Sequence, residues 1–198
     1  MKKKVNQLFL LLIFIAGNAV VYAQSTYQVT ASKENNMKLS GTSTLHKWEM
    51  NSKTFSGAAE FGVNPSNVNE LKTISALSFS LPVTALKSDE KKLDRNAYKA
   101  LKTGSFKNIT YKLLAATVLP GTLNRYLVKT RGNLTIAGVT KEITMDVYCV
   151  VNKDASITCT GSDKLNMTDY NVKPPSFMLG AMKTGNAVTL DFSLAYKK

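Results

Sequence analysis

The sequence predicts an all-β protein whose strands form an antiparallel barrel of about eight strands with one short helical insertion. Three observations support this. Apolar and polar residues alternate along almost the whole chain after residue 23, a pattern typical of half-buried strands. Turn-forming residues separate these stretches at hairpin spacing. A single segment has the spacing of an amphipathic helix instead.

The first residues have the pattern of a secretory signal peptide. Lysines at positions 2–4 precede an unbroken apolar stretch over residues 8–15, which is shorter than the roughly 20 residues of a membrane span. Val21-Tyr22-Ala23 supplies a cleavage site. We therefore expect residues 1–23 to be removed and residues 24–198 to form one domain in the periplasm or outside the cell. The alternative is an uncleaved membrane anchor.

Strands are predicted wherever the alternation persists. Alternate residues from Val188 to Tyr196 face one way, as do Met145 and Val147. Each inward side chain of this kind, Phe192 included, is expected to be ordinary core, because protein interiors are close-packed. The predicted strands span residues 37–45, 48–52, 54–61, 74–81, 109–118, 126–136, 142–151, 156–161 and 188–196, with turns at 64–67, 120–121, 137–138 and 152–154.

One stretch is predicted to be a helix. Leu93, Ala97 and Leu101 recur at four-residue spacing with charged residues between them. Ser88-Asp89 is expected to cap its start, and Thr103-Gly104 to end it with a residue that tolerates positive φ. The outward face carries both signs of charge, which favours a solvated surface over a membrane-contacting one. The acids on it are interpreted as surface residues: Asp89, Glu90 and Asp94.

Residues 165–180 are predicted to form a long loop. Pro174-Pro175 forbids a helix there, and the pattern is too irregular for a strand. Long loops in compact domains are often functional lids, and Met adapts to varied apolar ligands. The candidate ligand contacts in this loop are Met167, Tyr170, Phe177 and Met178. The alternative is a loop that plugs the end of the barrel.

The chain is strongly basic. Its net charge of +13 becomes +10 once the three leading lysines are removed. The basic residues are scattered, without the arginine-rich block or interleaved aromatics of a nucleic-acid binder. We expect no nucleic-acid partner, and transient contact with an anionic membrane surface fits the charge at least as well. Because His46 is the only histidine, we expect no metal site and no cofactor.

The two cysteines lie in the predicted exported part, where an oxidising compartment permits a disulfide. A turn centred at Asp154 would place Cys149 opposite Cys159 across a hairpin. We predict a bridge between them. The alternative is a pair of buried thiols, because cross-strand bridges require unusual geometry.

Four sequence blocks occur in order along the chain: Gly41-Thr-Ser-Thr-Leu-His-Lys-Trp48; Leu86-Lys-Ser88 with Tyr98-Lys-Ala-Leu101 and Ile109-Thr-Tyr111; Gly132-Asn-Leu-Thr-Ile-Ala-Gly-Val-Thr-Lys141; and Lys173-Pro-Pro-Ser-Phe-Met-Leu-Gly180. Together they resemble the YceI-like family of exported, lipocalin-like, polyisoprenoid-binding proteins, and the third block is the most specific. The resemblance implies an extended antiparallel barrel with a helical insertion near one end. It also implies an apolar tunnel for an isoprenoid chain.

His46 and Trp48 are candidate ligand contacts, because a strand would place both on one face and give a hydrogen-bond donor beside an aromatic ring. Such a pair suits a quinone or phosphate headgroup; the alternative is a structural histidine. At the entrance of the barrel, the helix over residues 94–102 and the loop over residues 167–179 are expected to flank the opening. Leu101 and Phe106 would touch the ligand there, together with the loop contacts.

The leading hypothesis is a non-catalytic protein that binds, transports or sequesters an apolar lipid, such as a polyprenyl chain or a quinone, as a monomer or homodimer. One alternative is a fully packed structural or stress-response barrel without a ligand. The other is an enzyme that acts on a lipid headgroup. We expect the protein to have no enzymatic activity, because the Gly-x-Ser-x-Gly, Walker and Gly-x-Gly-x-x-Gly patterns are absent from the sequence.

The signal-peptide interpretation predicts the first residue of the mature protein. Protein isolated from its native envelope should begin at Gln24 or within a residue or two, because the small-residue site ends at Ala23. N-terminal sequencing or intact mass measures this directly. An intact Met1 would contradict the prediction.

Overall fold

The computed structural model describes residues 24–64, 66–177 and 181–198, which are mostly strand. The strands are β1 Gln24–Val29, β2 Asn36–Ser43, β3 Lys47–Ser52, β4 Ser56–Asn64, β5 Asn67–Pro82, β6 Asn108–Pro120, β7 Arg125–Ile136, β8 Val139–Val151, β9 Ile157–Asn166, β10 Ser176–Phe177 and β11 Met182–Lys197. One α-helix, α1, spans Lys91–Ala100, and 3₁₀ turns lie at Val83–Ala85 and Met167–Tyr170. Leu165 and Asn166 extend β9, so the predicted loop is shorter than expected.

The strands close into an antiparallel ring. Its order is β1, β4, β5, β6, β7, β8, β9 and β11, and β11 returns to β1 through the pairs Gln28–Lys197 and Val29–Tyr196. This confirms the predicted antiparallel barrel of eight strands with a helical insertion. The β2–β3 hairpin lies on the remaining edge of β11. An isolated bridge from Asn51 to Lys87 ties the free edge of β3 to the segment after β5.

Bulges explain why several strands exceed their predicted bounds. Register shifts between Glu60 and Phe61, and again between Gly62 and Val63, interrupt the pairing of β4 with β5. Each bulge adds a residue to one strand and inverts the alternation beyond it. Alternation alone therefore placed the start of β5 at residue 74 instead of Asn67. A similar shift in β11 between Thr184 and Val188 hid the first part of that strand.

The helix is confirmed, but its ends differ from the expectation. Glu90 occupies the N-cap without a side-chain cap bond. Asp94 instead accepts hydrogen bonds from the Ser88 backbone N–H and hydroxyl, both at 2.8 Å. Asp94 is therefore buried, which corrects its interpretation as a surface acid. Lys102, with φ of 53°, adopts the left-handed conformation that was expected of Gly104.

The helix packs at one end of the barrel, which we call the helix end. Tyr98 fixes it there, because its hydroxyl donates to the Leu86 carbonyl oxygen at 2.6 Å. Phe106 covers Gly138 in the β7–β8 turn, so this turn lies beside the C-terminus of the helix. The 3₁₀ turn after β9 contacts β8 and β11 at the same end. The predicted neighbours, helix and loop, therefore do share one end.

The opposite end, which we call the aromatic end, is filled by the rings of Tyr27, Phe61 and Tyr196. Phe61 makes edge-to-face contacts with both tyrosines, at centroid distances of 5.1 Å and 5.4 Å. Each of the three side chains is buried. The barrel therefore has one end made of short irregular elements and one end sealed by aromatic packing.

The close approach of Tyr111 to Gly132 generates a stability prediction. A methyl group at Gly132 would overlap the Tyr111 ring and lie 2.7 Å from the backbone oxygen of Lys112. Gly132→Ala should therefore lower the free energy of unfolding by about 1–3 kcal/mol, the usual cost of overpacking. Gly104→Ala is the matched control, since it meets nothing within 4 Å, and should change stability by less than about 0.5 kcal/mol. Urea unfolding measures both, and equal stabilities would contradict the prediction.

Candidate functional site

The barrel encloses an apolar cavity of about 230 Å³. Alternate residues of β8 and β11 form much of its wall, with further side chains from β2, β3, β5, β6 and β7. On β8 the wall residues are Ile143, Met145, Val147 and Cys149. The six residue steps from the first of these to the last span roughly 20 Å at about 3.3 Å per residue. The cavity therefore runs along the barrel and not across it.

This cavity corrects one expectation. Met145, Val147 and Phe192 were each expected to be ordinary core, yet all three line the cavity. The alternation that identifies an inward residue is the same for a packed interior and for a cavity wall. Their positions at every second residue of a strand predicted that these side chains point inward. The same positions could not show that the space between them is empty.

Three wall aromatics each cover a glycine on a strand. Trp48 lies over Gly41, with ring atom Cε2 2.8 Å from where a Cβ would stand. Phe192 lies over Gly161 at a corresponding distance of 2.8 Å to Cε1. Tyr111 covers Gly132 in the same way. Each ring thus occupies the place of a missing side chain, which leaves space in the lumen.

The helix end supplies most of the predicted contacts that line the cavity. Leu101 from the segment after α1 is among the wall residues, and Met167 and Tyr170 come from the 3₁₀ turn. Burial, followed by the nearby Asp163 and Asp169 carboxylates, raises the pKa of Tyr170 to about 12. This phenol therefore remains neutral at physiological pH. Leu93 and Ala97 of the helix also line the cavity, although their spacing predicted only the helix.

Trp48 lines the cavity, and its indole N–H donates to the Thr42 carbonyl oxygen at 3.1 Å. His46 does not share that position. It precedes β3 in the hairpin turn, its side chain is 52% exposed, and its Nδ1 lies 2.7 Å from the Lys47 carbonyl oxygen. The strand that was expected to align the two residues starts at Lys47, so His46 faces solvent and is not among the residues of the cavity wall.

The remaining predicted ligand contacts are not among the residues of the cavity wall or fall outside the described residues. Phe106 is 38% exposed and packs on Gly138 at the surface, so it is not among the wall residues. The backbone of Phe177 belongs to β10, where it pairs with Met182. Met178 falls outside the described residues. Pro175 and Val172 from the same segment do line the cavity.

Cys149 and Cys159 line the cavity toward the aromatic end. They are direct partners in the β8–β9 ladder, as their spacing predicted, and their sulfurs lie 2.6 Å apart. The hydrogen bond from Cys149, together with burial, raises the pKa of the Cys159 thiol well above its ordinary value. The structure holds both cysteines as free thiols, and the bridge between them stays a prediction.

The wall is suited to an uncharged, apolar molecule. The described wall residues include no Asp, Glu, Lys, Arg or His. One of its few polar groups, the Thr130 hydroxyl, already donates to the Met145 carbonyl oxygen at 3.1 Å. A charged ligand group would lose its hydration inside the cavity without compensation, at high cost. An apolar chain has no such hydration to lose when it enters the cavity.

In the described part of the chain, no helix combines the length and the hydrophobicity of a membrane span. Within residues 24–64, 66–177 and 181–198, no group of three or more His, Cys, Asp and Glu side chains is arranged to hold a metal ion.

Comparison with known proteins identifies the family. The model of the YceI-like domain matches residues 22–196, so the chain belongs to the YceI-like family, as its four sequence blocks indicated. No curated protein matches the chain significantly.

Solved structures share the fold at low sequence identity. Burkholderia cenocepacia BcnA superposes with a TM-score of 0.63 at 18% identity, covering 84% of this chain and 98% of that one. A polyisoprenoid binding domain from Saccharophagus degradans, implicated in plant cell wall breakdown, gives a TM-score of 0.64 at 14% identity, with 86% and 97% covered. The Campylobacter jejuni YceI protein gives 0.53 at 17% identity, with 72% and 81% covered.

The facing cysteines generate a prediction about their oxidation state. Protein from an oxidising compartment, unfolded without reductant, should show no reactive thiol, because directly opposed residues place their Cβ atoms about 4.5–5.5 Å apart. Reduction should then release both thiols. The Cys149→Ser variant is the control and should show one thiol under both conditions. Two thiols in the unreduced wild-type protein would contradict the bridge.

Proposed function

We propose that this YceI-like protein binds one apolar lipid chain of the isoprenoid type inside its barrel and carries or sequesters it without catalysis. The cavity carries this proposal. Close-packed interiors contain few voids larger than a water molecule, whereas this barrel leaves about 230 Å³ open along its length. The Saccharophagus degradans structure, whose description names polyisoprenoid binding, has the same fold and supports an isoprenoid ligand.

The energetics favour such a ligand. Transfer of a methylene group from water to an apolar site contributes about 0.8 kcal/mol, and drug-sized ligands retain about 0.3 kcal/mol per atom after the costs of binding. A chain that fills a length of roughly 20 Å therefore has enough apolar surface for useful affinity. The alternative of a fully packed barrel is disfavoured, because it would leave this space filled by side chains.

The placement of His46 supports a non-catalytic role. It is the only histidine of the chain, and it is exposed in the β2–β3 turn, outside the cavity wall. In the reduced protein, the raised pKa keeps the Cys159 thiol protonated, which disfavours it as a nucleophile, and in the disulfide form there is no thiol. An enzyme acting on a bound headgroup would need a base or nucleophile in reach of it.

We further propose that the protein works in the periplasm or outside the cell and exchanges its ligand at the helix end. The exposed face of the helix segment carries five basic side chains: Lys91, Lys92, Arg95, Lys99 and Lys102. Basic residues near an anionic leaflet contribute about 1 kcal/mol each. Transient contact of this face with a membrane would bring the opening to the source of the lipid.

Extraction tests the proposed function. Protein purified under native conditions without detergent should release a prenyl-type lipid into organic solvent at about one molecule per protein molecule, because a single cavity is proposed to hold it. Mass spectrometry identifies and quantifies the extract. A clean extract, together with failure to take up an added prenyl chain, would contradict the proposal and favour the packed barrel.

A filled-cavity variant tests where the lipid lies. Ala100 lines the cavity and neighbouring Lys99 is exposed. Ala100→Phe should lower lipid affinity about tenfold, equivalent to about 1.4 kcal/mol, because the ring displaces roughly two methylene groups of the ligand. Lys99→Phe adds the same ring outside and should bind like wild type. The fluorescence of Trp48, the only tryptophan, reports binding from the wall; equal affinities would contradict this location.

A further inference from the structure

The β8 and β9 strands pair with each other over only part of their length. The ladder between them ends, toward the helix end, at the pair Val147–Gly161. Beyond it, residues 139–146 of β8 and residues 162–166 of β9 do not pair with each other. There β8 still pairs with β7, and β9 with β11. The two strands therefore diverge, and we call the space between these two segments the β8–β9 gap.

Burial along β8 changes where this pairing ends. The inward side chains of Val147, Cys149 and Val151 are buried, whereas those of Ile143 and Met145 are only half-buried. Val147 and Cys149 line the cavity just as Ile143 and Met145 do, so cavity surface alone does not explain the difference. The additional exposure lies at the level where β9 has left the ladder.

The inward face of β9 shows the same change, and it carries a charged residue there. Asp163 lies between Gly161 and Leu165 on that face, and all three are half-buried, whereas Cys159 below them is buried. Leu165 and Cys159 line the cavity, but Asp163 is not among the wall residues. An ionised carboxylate enclosed in an apolar interior would lose its hydration at high cost. Its partial exposure indicates that solvent reaches the inward side of β9 through the gap.

A second incomplete ladder in the ring provides a comparison. The pairing of β5 with β6 ends at Ser78–Lys112. Beyond this pair the side chains of Leu71, Ile74 and Leu113 are all buried. Side-chain packing closes that part of the barrel, so incomplete pairing by itself does not expose the interior.

The 3₁₀ turn Met167–Tyr170 covers the β8–β9 gap. It follows β9 directly and contacts β8, β9 and β11. The Tyr170 side chain is buried, and it belongs with Met167 to the same apolar cluster as Ile143 and Met145 of β8. The side of the turn that faces β8 is therefore held by apolar contact.

The polar attachment of the turn runs to β11 instead. The Thr168 backbone N–H donates to Asn186 Oδ1 at 3.0 Å, and the Asn186 side-chain amide donates to the Thr168 hydroxyl oxygen at 2.9 Å. Both residues are exposed, so water can replace these hydrogen bonds at small net cost. Movement of the turn away from β8 breaks this tether and one apolar contact, whereas separation of paired strands would break a backbone ladder.

We propose that the bound chain enters and leaves the barrel sideways through the β8–β9 gap, and that the Met167–Tyr170 turn is the lid over it. The inference rests on the proposed function and narrows ligand exchange at the helix end to one portal. When the lid is closed, Tyr170 fills the gap. When it opens, the tether to Asn186 is broken, and an incoming chain meets Ile143 and Met145 first.

A disulfide lock tests the lid. Thr168→Cys with Asn186→Cys replaces the tether by a bridge, in a background that carries Cys149→Ala and Cys159→Ala to remove the native thiols. The probe is N-phenyl-1-naphthylamine, a neutral apolar dye whose fluorescence rises in apolar surroundings. Stopped-flow measurements give its rates of uptake and release, and thiol titration confirms the bridge.

The oxidised lock should slow both uptake and release at least about tenfold, because opening of a lid limits the passage of a ligand. The equilibrium affinity should stay within about twofold of the background protein, since the lid is closed both before and after binding. Reduction of the bridge should restore both rates.

The control is a second bridge at the same end of the barrel. Thr135 and Thr140 are direct partners across the β7–β8 turn, and their hydroxyls lie 2.8 Å apart. Thr135→Cys with Thr140→Cys in the same background should leave both rates unchanged when oxidised. Unchanged rates in the lid lock, or equal slowing by the control bridge, would overturn the portal while dye binding still supports the proposed function. A wild-type protein that takes up neither the dye nor farnesol would overturn both.

A variant without new cysteines provides a second measurement. Asn186→Ala removes the tether and should speed uptake and release about fivefold, because opening no longer breaks its hydrogen bonds. Thr135→Ala also removes one exposed side-chain hydrogen bond at the helix end and should exchange the dye at the wild-type rate. Wild-type rates in Asn186→Ala would overturn the lid, even if the lock failed to form its bridge.

Discussion

The pairing of β11 is the constraint on which the rest of the structure depends. One edge of this strand pairs with β9 from Ala187 to Tyr196, and the other edge is divided between β2 and β1. Because side chains alternate strictly along a strand, a slip of one residue would turn every inward side chain of β11 to solvent. The double pairing prevents that slip. It thereby fixes the wall from Val188 to Tyr196 and closes the ring.

The cavity exists because aromatic side chains are held against the wall. Trp48, Tyr111 and Phe192 each extend over a strand glycine instead of into the lumen. A side chain at Gly41, Gly132 or Gly161 would push the corresponding ring inward, where it would occupy space now open to a ligand. Glycine in a strand interior normally weakens the strand. Here the covering rings restore packing on the sheet, which offsets the loss of strand stability at each glycine. The lumen stays open because the rings lie against the wall.

Sequence reasoning predicted the elements better than the site. Alternation identified most strands, and the spacing of Leu93, Ala97 and Leu101 identified the helix, since both patterns follow directly from backbone geometry. Bulges were missed because they invert the alternation. The bond from Ser88 to Asp94 was missed because it depends on tertiary placement of an acid that looks like any surface acid. The prediction that His46 shares a strand face with Trp48 was also wrong, because the strand that carries Trp48 starts at Lys47, one residue after His46.

The two ends of the barrel differ in construction, and the aromatic cluster is the main difference. β1 and β11 share only the pairs Gln28–Lys197 and Val29–Tyr196, so their ladder is the shortest in the ring. Tyr27, Phe61 and Tyr196 come from β1, β4 and β11, and their edge-to-face contacts bridge this seam. Such aromatic pairs contribute about 0.5–1.5 kcal/mol each beyond area burial. Opening the barrel here would break both ring closure and ring packing, whereas the helix end is covered by a helix and short turns. This difference supports the proposed exchange of the ligand at the helix end, because the aromatic end is closed by side-chain packing.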